Sequence, residues 1–142
     1  MKIFLTLSLE GQTEVAPLWI YDWNIQFLDG DGEALPNTKV EVYLWDGSLW
    51  GELRTTDEGF IRLLDFPSQS YTFKAYWKDS KVLYKTLTLT NEEQTDQVQC
   101  SVFDLIVHVV NEEGKGVPNV DITLFWLNGT AITTTSTNST GY

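Results

Sequence analysis

The sequence has few of the residues that most often carry chemistry. It contains one cysteine, Cys100, and one histidine, His108. A single cysteine excludes an intrachain disulfide, and a lone histidine is a weak candidate for a metal ligand or a general base. Serine and aspartate are plentiful, but neither is an effective nucleophile without a histidine or lysine partner. The sequence therefore predicts a protein that is not an enzyme.

Basic residues and long apolar runs are also scarce. Nine lysines and arginines face 20 aspartates and glutamates, which gives a formal net charge of −11. Such a charge argues against a nucleic-acid partner, because phosphate backbones require a basic surface. No stretch approaches the roughly 20 apolar residues of a membrane span. With 42% hydrophobic and 13% aromatic residues, the composition is that of a folded protein rather than a disordered acidic tail.

The chain repeats itself. Residues 32–42 return as residues 114–124, and the offset between Pro36 and Pro118 is 118 − 36 = 82 positions. The same offset, without a gap, pairs the glycines at 47 and 59 with those at 129 and 141. A fixed self-similarity over a whole supersecondary unit is typical of a repeated module. The sequence therefore predicts an array of units a little over 80 residues long.

Within one repeat, short runs alternate between apolar and polar residues. The inward positions of the first such run are Trp23, Ile25 and Phe27. The pair Asp46 and Gly47 predicts a hairpin turn, and no window shows a helical stripe. Short strands separated by turn signals favour an antiparallel sandwich. The predicted strands lie within residues 3–9, 21–27, 40–44, 61–66, 71–75 and 82–89.

This periodicity predicts three segments. Residues 1–18 are expected to be the closing strand of a preceding or neighbouring module, followed by a linker at 11–18. Residues 19–100 are expected to form one complete β-sandwich repeat. Residues 101–142 are expected to form a partial second repeat, because counterparts of residues 61–89 are missing. Half a sandwich exposes apolar surface and strand edges, so another part of a longer chain or another copy would have to cover it.

The motif of Gly32, Leu35, Pro36, Asn37, Val40 and Val42, followed by Thr55, Gly59 and Phe60, resembles the carboxypeptidase regulatory-like and transthyretin-like β-sandwich group. The fold class expected from this resemblance is all-β, with tandem antiparallel Ig-like or transthyretin-like modules of which the C-terminal one is incomplete. The resemblance implies a non-catalytic structural module of bacterial or archaeal surface proteins, located extracellularly. Many related stalk domains carry a Lys–Asn isopeptide bond. Trp23, Ile25 and Phe27 occupy the inward positions where that lysine would stand, so the cross-link is not expected.

Two kinds of surface site are candidates. Asp29, Asp31 and Glu33 place three carboxylates at alternate positions, which could wrap calcium, although a solvated turn explains them equally. Asn128 and Asn138 each begin an Asn-x-Ser/Thr triplet, the acceptor pattern for N-glycosylation in exported proteins. No cofactor other than calcium is expected.

The six tryptophans suggest a surface with a role in contacts. By strand parity, Tyr43 and Trp45 lie on the outer face, with Trp50 across the hairpin and Tyr76 nearby. Exposed aromatic rings stack on sugars or anchor protein interfaces. Three explanations stay open: contacts within the array, contacts with another copy of the chain, and binding of a carbohydrate or other ligand.

The leading hypothesis is a structural module of an extracellular surface layer, stalk or filament. Head-to-tail assembly would follow if one chain donated the strand with Ile3, Leu5, Leu7 and Leu9 on one face to another chain. The alternatives are a carbohydrate- or protein-binding adhesin domain that uses Tyr43, Trp45 and Trp50, and the accessory domain of a secreted hydrolase. The expected partners are other modules, further copies of the chain, and glycans.

Overall fold

A computed structural model describes residues 1–9 and 12–142 of the chain. This part is all-β, as the sequence predicts, with ten strands and no helix. The chain divides into two compact units, Met1–Phe103 and Asp104–Tyr142.

The first unit contains two sheets. Their strands are β1 Lys2–Leu9, β2 Gln12–Leu28, β3 Lys39–Tyr43, β4 Leu49–Arg54, β5 Phe60–Pro67, β6 Ser70–Trp77, β7 Ser80–Thr88 and β8 Gln94–Gln99. One sheet is built on the order β1-β2-β5, with β8 pairing with β2, and the other has the order β4-β3-β6-β7. All pairings are antiparallel except that of β8 with β2, which is parallel.

The core of this unit comes from the inward side of each alternating strand. Trp23 is fully buried and meets Phe73 edge-on, with ring centroids 5.4 Å apart. Burying a large apolar side chain contributes about 1.5–3 kcal/mol, so these residues provide most of the driving force for folding. The buried hydrophobic residues are Trp23, Ile25, Phe27, Leu35, Val40, Val42, Ile61, Leu63, Phe66, Tyr71, Phe73, Ala75, Leu89, Val98 and Cys100. They include the inward residues that alternation predicts.

Strand β2 is longer than the sequence suggests. Its first part pairs with β1, from Leu9 opposite Gln12 to Lys2 opposite Trp19. Its second part, from Ile20 onward, pairs with β5 and β8. The expected linker at residues 11–18 is therefore wrong for 12–18, because backbone pairing with β1 holds this polar, Pro-containing stretch as strand.

The alternation of apolar and polar residues does not predict strand β8, because residues 91–97 are polar. It is held to β2 by a parallel ladder and by side chains rather than by a broad apolar face. The indole Nε1 of Trp23 donates a hydrogen bond of 2.6 Å to Oδ2 of Asp96, and Nε2 of Gln94 donates to the same oxygen at 2.6 Å. Only Val98 of this strand is buried. A polar strand can thus be specified by its hydrogen bonds.

The second unit has two strands, β9 Asp121–Phe125 and β10 Ala131–Ser136, which form an antiparallel hairpin. The bridge between Leu28 and Ala34 in the first unit recurs as the bridge between Val110 and Gly116. Both pairs differ by 82 positions, the sequence offset. Local backbone structure therefore recurs with the sequence.

One threonine fixes the loop before the hairpin in each unit. Oγ1 of Thr55 accepts a hydrogen bond from Thr38 N at 2.8 Å and donates to Leu35 O at 2.6 Å. Oγ1 of Thr137 likewise accepts from Val120 N at 2.9 Å and donates to Val117 O at 2.7 Å. Both threonines are buried. Each hydroxyl gives a partner to one backbone donor and one backbone acceptor, and Leu35 O also accepts from Thr38 Oγ1 at 3.3 Å.

The second unit exposes residues whose counterparts are buried. Leu105 is 67% exposed and Val107 is 38% exposed, whereas Trp23 and Ile25, 82 positions earlier, are fully buried. Val109 is joined to its neighbours by backbone hydrogen bonds, since its N–H donates to Gly141 O at 2.8 Å and its carbonyl accepts from Val117 N at 2.9 Å. Residues 104–109 of the second unit nevertheless do not form the strand that the repeat predicts.

Candidate functional site

The outer face of the sheet β4-β3-β6-β7 carries an organised group of polar and aromatic side chains. The register places Tyr43 opposite Thr72, and Lys74 between Glu41 on β3 and Tyr84 on β7. Because successive side chains on a strand point to opposite faces, the residues that alternate with the buried ones all face outward. Tyr76, which the sequence placed near this patch, lies on the same face and donates from its phenol to Glu41 at 3.3 Å.

Glu41 is the electrostatic centre of this face. Its carboxylate accepts hydrogen bonds from Tyr43 Oη at 2.8 Å and from Lys39 Nζ at 3.3 Å. The Tyr43 phenol is the largest cause that holds the pKa of Glu41 below its usual value, and burial opposes it. The hydrogen bond to Glu41 in turn raises the pKa of Lys39. At neutral pH the carboxylate is therefore ionised and already engaged by its neighbours.

A shallow cavity of about 400 Å³ opens beside this group. Its aromatic lining includes Tyr43, Trp45 and Tyr84, of which Trp45 is 77% exposed and Tyr84 is 66% exposed. The ammonium of Lys74 lies 4.0 Å from the centroid of the Tyr43 ring and 6.0 Å from that of Tyr84. The Tyr43 side chain is the main cause that raises the pKa of Lys74, so this ammonium stays charged.

The structure brings Tyr43 and Trp45 together but separates Trp50 from them. Trp50 packs edge-on against the core residue Phe66, with ring centroids 4.7 Å apart. The β3–β4 register shifts between Val42 and Tyr43, so alternation counted along the sequence does not fix which way Trp50 faces. A bulge of this kind adds one residue to a strand and reverses the facing of the residues beyond it. Trp50, which is 47% exposed, does not line the cavity that Tyr43 and Trp45 share with Lys74 and Tyr84.

The acidic loop that suggested calcium forms a hydrogen-bonded turn. Oδ1 of Asp29 accepts from the backbone N–H groups of Asp31 at 2.9 Å and Glu33 at 2.8 Å. In the second unit, Asn111 makes the same two bonds with an uncharged oxygen. Across residues 1–9 and 12–142, no group of three or more carboxylate, imidazole or thiol side chains is placed to hold a metal ion. This geometry therefore favours the turn over the metal site.

The two glycosylation candidates are exposed and lie in turns. Oδ1 of Asn128 accepts from Thr130 N at 3.0 Å, and Oδ1 of Asn138 accepts from Thr140 N at 2.9 Å. Both side chains serve as turn residues in the unmodified chain, and their glycosylation stays a prediction.

His108 and Cys100 pack against other residues of the chain. His108 stacks on Tyr142, with ring centroids 4.0 Å apart, and its Nε2 lies 3.1 Å from Thr140 O. Cys100 is buried in the core, and loss of solvation raises the pKa of its thiol to about 11. Ile3, Leu5, Leu7 and Leu9, the proposed strand-donor residues, lie in β1, but their side chains fall outside the described residues.

Comparison with known proteins gives a likeness of fold. No protein-family model matches the chain, and a search of curated proteins finds no match. Among solved structures, GBS52, the minor pilin of the Gram-positive pathogen Streptococcus agalactiae, is 13% identical over 73% of this chain, with a TM-score of 0.51. A streptococcal ancillary pilin is 13% identical over 86% of this chain, with a TM-score of 0.50. The Bacillus anthracis TIE protein is 16% identical over 92% of this chain, with a TM-score of 0.47.

This chain spans only part of each of these proteins, namely 61% of GBS52, 48% of the ancillary pilin and 28% of the TIE protein. The likeness to the two pilins identifies a β-sandwich fold of the kind found in pilin subunits. The described part of the chain contains no helix long and apolar enough to cross a membrane.

Proposed function

We propose that this chain is a non-catalytic structural module of an extracellular surface filament or stalk. The observation that carries the proposal is the recurrence, 82 residues apart, of the same backbone framework, including the threonine that bonds a donor and an acceptor in each loop. A framework that repeats in this way suits a linear array, in which each unit is stabilised by its neighbours. The sandwich likeness to two pilins supports the same function.

The finer proposal is head-to-tail assembly by strand addition. β1 pairs with the first part of β2, residues 12–19, whereas β5 and β8 pair with β2 only from Ile20 onward. The two strands therefore form a two-stranded ribbon at this end of the sheet. A two-stranded ribbon without further strands is marginally stable in water. Pairing of its free edge with a sheet edge of another copy would satisfy backbone donors and acceptors on both partners. In this chain β1 already pairs with β2, so assembly would add a strand beside β1 rather than remove it.

Sedimentation and electron microscopy of the full chain test this assembly. We expect a sedimentation coefficient that rises with protein concentration, and elongated particles in negative stain. Thr6→Pro removes one backbone N–H from β1 and should leave the protein monomeric, since proline cannot donate to a ladder. Thr6→Val keeps that N–H and is the matched control, which should assemble like the parent. A parent chain that stays monomeric throughout an accessible concentration series would rule out strand addition.

A further inference from the structure

The cavity on the outer face combines aromatic, hydroxyl and basic side chains. In a chain of net charge −11, its lining contains the basic side chain of Lys74 and no carboxylate. The nearby carboxylate of Glu41 is engaged by Tyr43, Lys39 and Tyr76. Lys74, whose ammonium lies over the Tyr43 ring, gives the cavity a positive charge that a negative ligand group can neutralise.

We propose that this cavity binds a carboxylate-bearing glycan, such as one that contains a uronic or sialic acid. The proposal goes beyond the structural function, because it assigns a ligand to one face of the module. The cavity is large enough for such a ligand, since its volume of about 400 Å³ falls within the roughly 300–1,000 Å³ of small-molecule sites.

The aromatic rings provide the stacking surfaces. Trp45 and Tyr84 are both more than half exposed, and both line the cavity. The C–H face of a sugar ring packs on an aromatic plane, while the hydroxyls at its edge remain available for hydrogen bonds. A pyranose held between these rings would bring a carboxylate substituent toward Lys74, which already lies over the Tyr43 ring.

Hydroxyl groups provide the edge contacts. Oγ1 of Thr72 and Oγ1 of Thr86 lie 2.9 Å apart, and Oγ of Ser70 lies 2.8 Å from Oγ1 of Thr88. Within each pair one hydroxyl donates to the other, which leaves one hydroxyl hydrogen and several lone pairs free. These groups can both donate to and accept from sugar hydroxyls. An apolar peptide would leave the remaining hydroxyl hydrogen of each pair without an acceptor, so the polar lining favours a glycan.

Two matched pairs of sugars test the proposal by isothermal titration calorimetry on the full chain in 150 mM salt. The probes are 3′-sialyllactose against lactose, and a hyaluronan tetrasaccharide against chitotetraose. At this ionic strength the Debye length is about 8 Å, so repulsion from distant acidic groups is largely screened. We expect at least one acidic sugar to bind about tenfold or more tightly than its neutral partner.

Three variants identify the site. Lys74→Gln should remove the preference for the acidic sugar, and Trp45→Ala should weaken binding of that sugar by about fivefold or more. Lys85→Gln changes the neighbouring exposed lysine on β7, which is not part of the cavity lining, and should leave affinity unchanged. Far-ultraviolet circular dichroism of each variant checks that the sandwich remains folded.

Four results would overturn the proposal. The first is the absence of binding by all four sugars at millimolar concentration. The second is equal affinity for the acidic and neutral members of both pairs. The third is a preference that survives Lys74→Gln in a folded protein. The fourth is equally tight, Lys74-dependent binding of a tetraglutamate peptide, which would assign the cavity to acidic peptides instead.

Discussion

The hydrogen bond between Trp23 and Asp96 should contribute substantially to the stability of the first unit. Trp23 lies on β2 and Asp96 on β8, and their side chains meet at 2.6 Å in a partly buried setting. A hydrogen bond to a charged group contributes about 1.5–3 kcal/mol. Asp96→Ala removes the acceptor and leaves the indole N–H of a fully buried tryptophan without a partner.

We expect Asp96→Ala to lower the free energy of unfolding by about 2–3 kcal/mol. In a unit of this size that change corresponds to a fall in Tm of roughly 10–20 °C. Asp96→Asn keeps an oxygen acceptor without the charge and should cost only about 1 kcal/mol. Urea denaturation followed by tryptophan fluorescence measures both changes. Asp57→Ala removes an exposed acid between β4 and β5 and controls for the change in net charge. It should leave the free energy of unfolding nearly unchanged.

A double-mutant cycle separates this bond from other effects of each substitution. Trp23→Phe removes the indole N–H and also leaves a small cavity, so its own cost includes a packing loss. The coupling between Trp23→Phe and Asp96→Ala should be about 1.5–3 kcal/mol. A coupling below roughly 0.5 kcal/mol would show that β8 is held by its backbone ladder alone, and the reasoning would be wrong.

Other regions of the first unit give three further predictions. Thr55→Val should destabilise the unit by about 1–3 kcal/mol in urea denaturation, because it leaves Thr38 N without its acceptor and removes the shorter of two hydrogen bonds to Leu35 O, while Thr55→Ser should cost under about 1 kcal/mol. Gly59→Ala should lower Tm more than Gly47→Ala. Both glycines have positive φ, but only at Gly59 would a Cβ lie within 2.6 Å of Phe27 O. Cys100, with a thiol pKa raised to about 11, should react with Ellman's reagent at pH 8 only after denaturant unfolds the unit.

Strand alternation predicted the core, because burial on one face of a sheet imposes a period of two. Trp23, Ile25 and Phe27 are all fully buried, as the pattern required. The sequence also contains one break in this alternation. Leu63 and Phe66 are separated by three positions rather than two, and the structure accommodates the extra residue with a positive φ at Asp65 and a register shift opposite Tyr21. A break in alternation can thus mark a bulge.

The outer face was less predictable, because its composition depends on pairings that are distant in sequence. Lys74 reaches Tyr43 only because β6 pairs with β3, and Tyr84 joins them only because β7 pairs with β6. Alternation alone cannot indicate which strands are neighbours. The bulge between Val42 and Tyr43 likewise has no distinct signal in the sequence, so parity alone does not indicate how Trp50 is placed. Strand β8 was missed for a different reason, since side-chain hydrogen bonds rather than an apolar stripe hold it.

The repeat separates residues that maintain the fold from residues that could carry a site. Positions that recur after 82 residues include the glycines of the turns and the buried threonines Thr55 and Thr137. The face positions do not recur: Phe125 and Leu127 stand where Tyr43 and Trp45 stand in the first unit. Phenylalanine and leucine can extend an apolar surface but cannot provide the phenol that engages Glu41. The proposed array therefore needs only the recurring frame, whereas the proposed ligand cavity needs residues of the first unit that do not recur, so substitutions in the cavity should leave assembly unchanged.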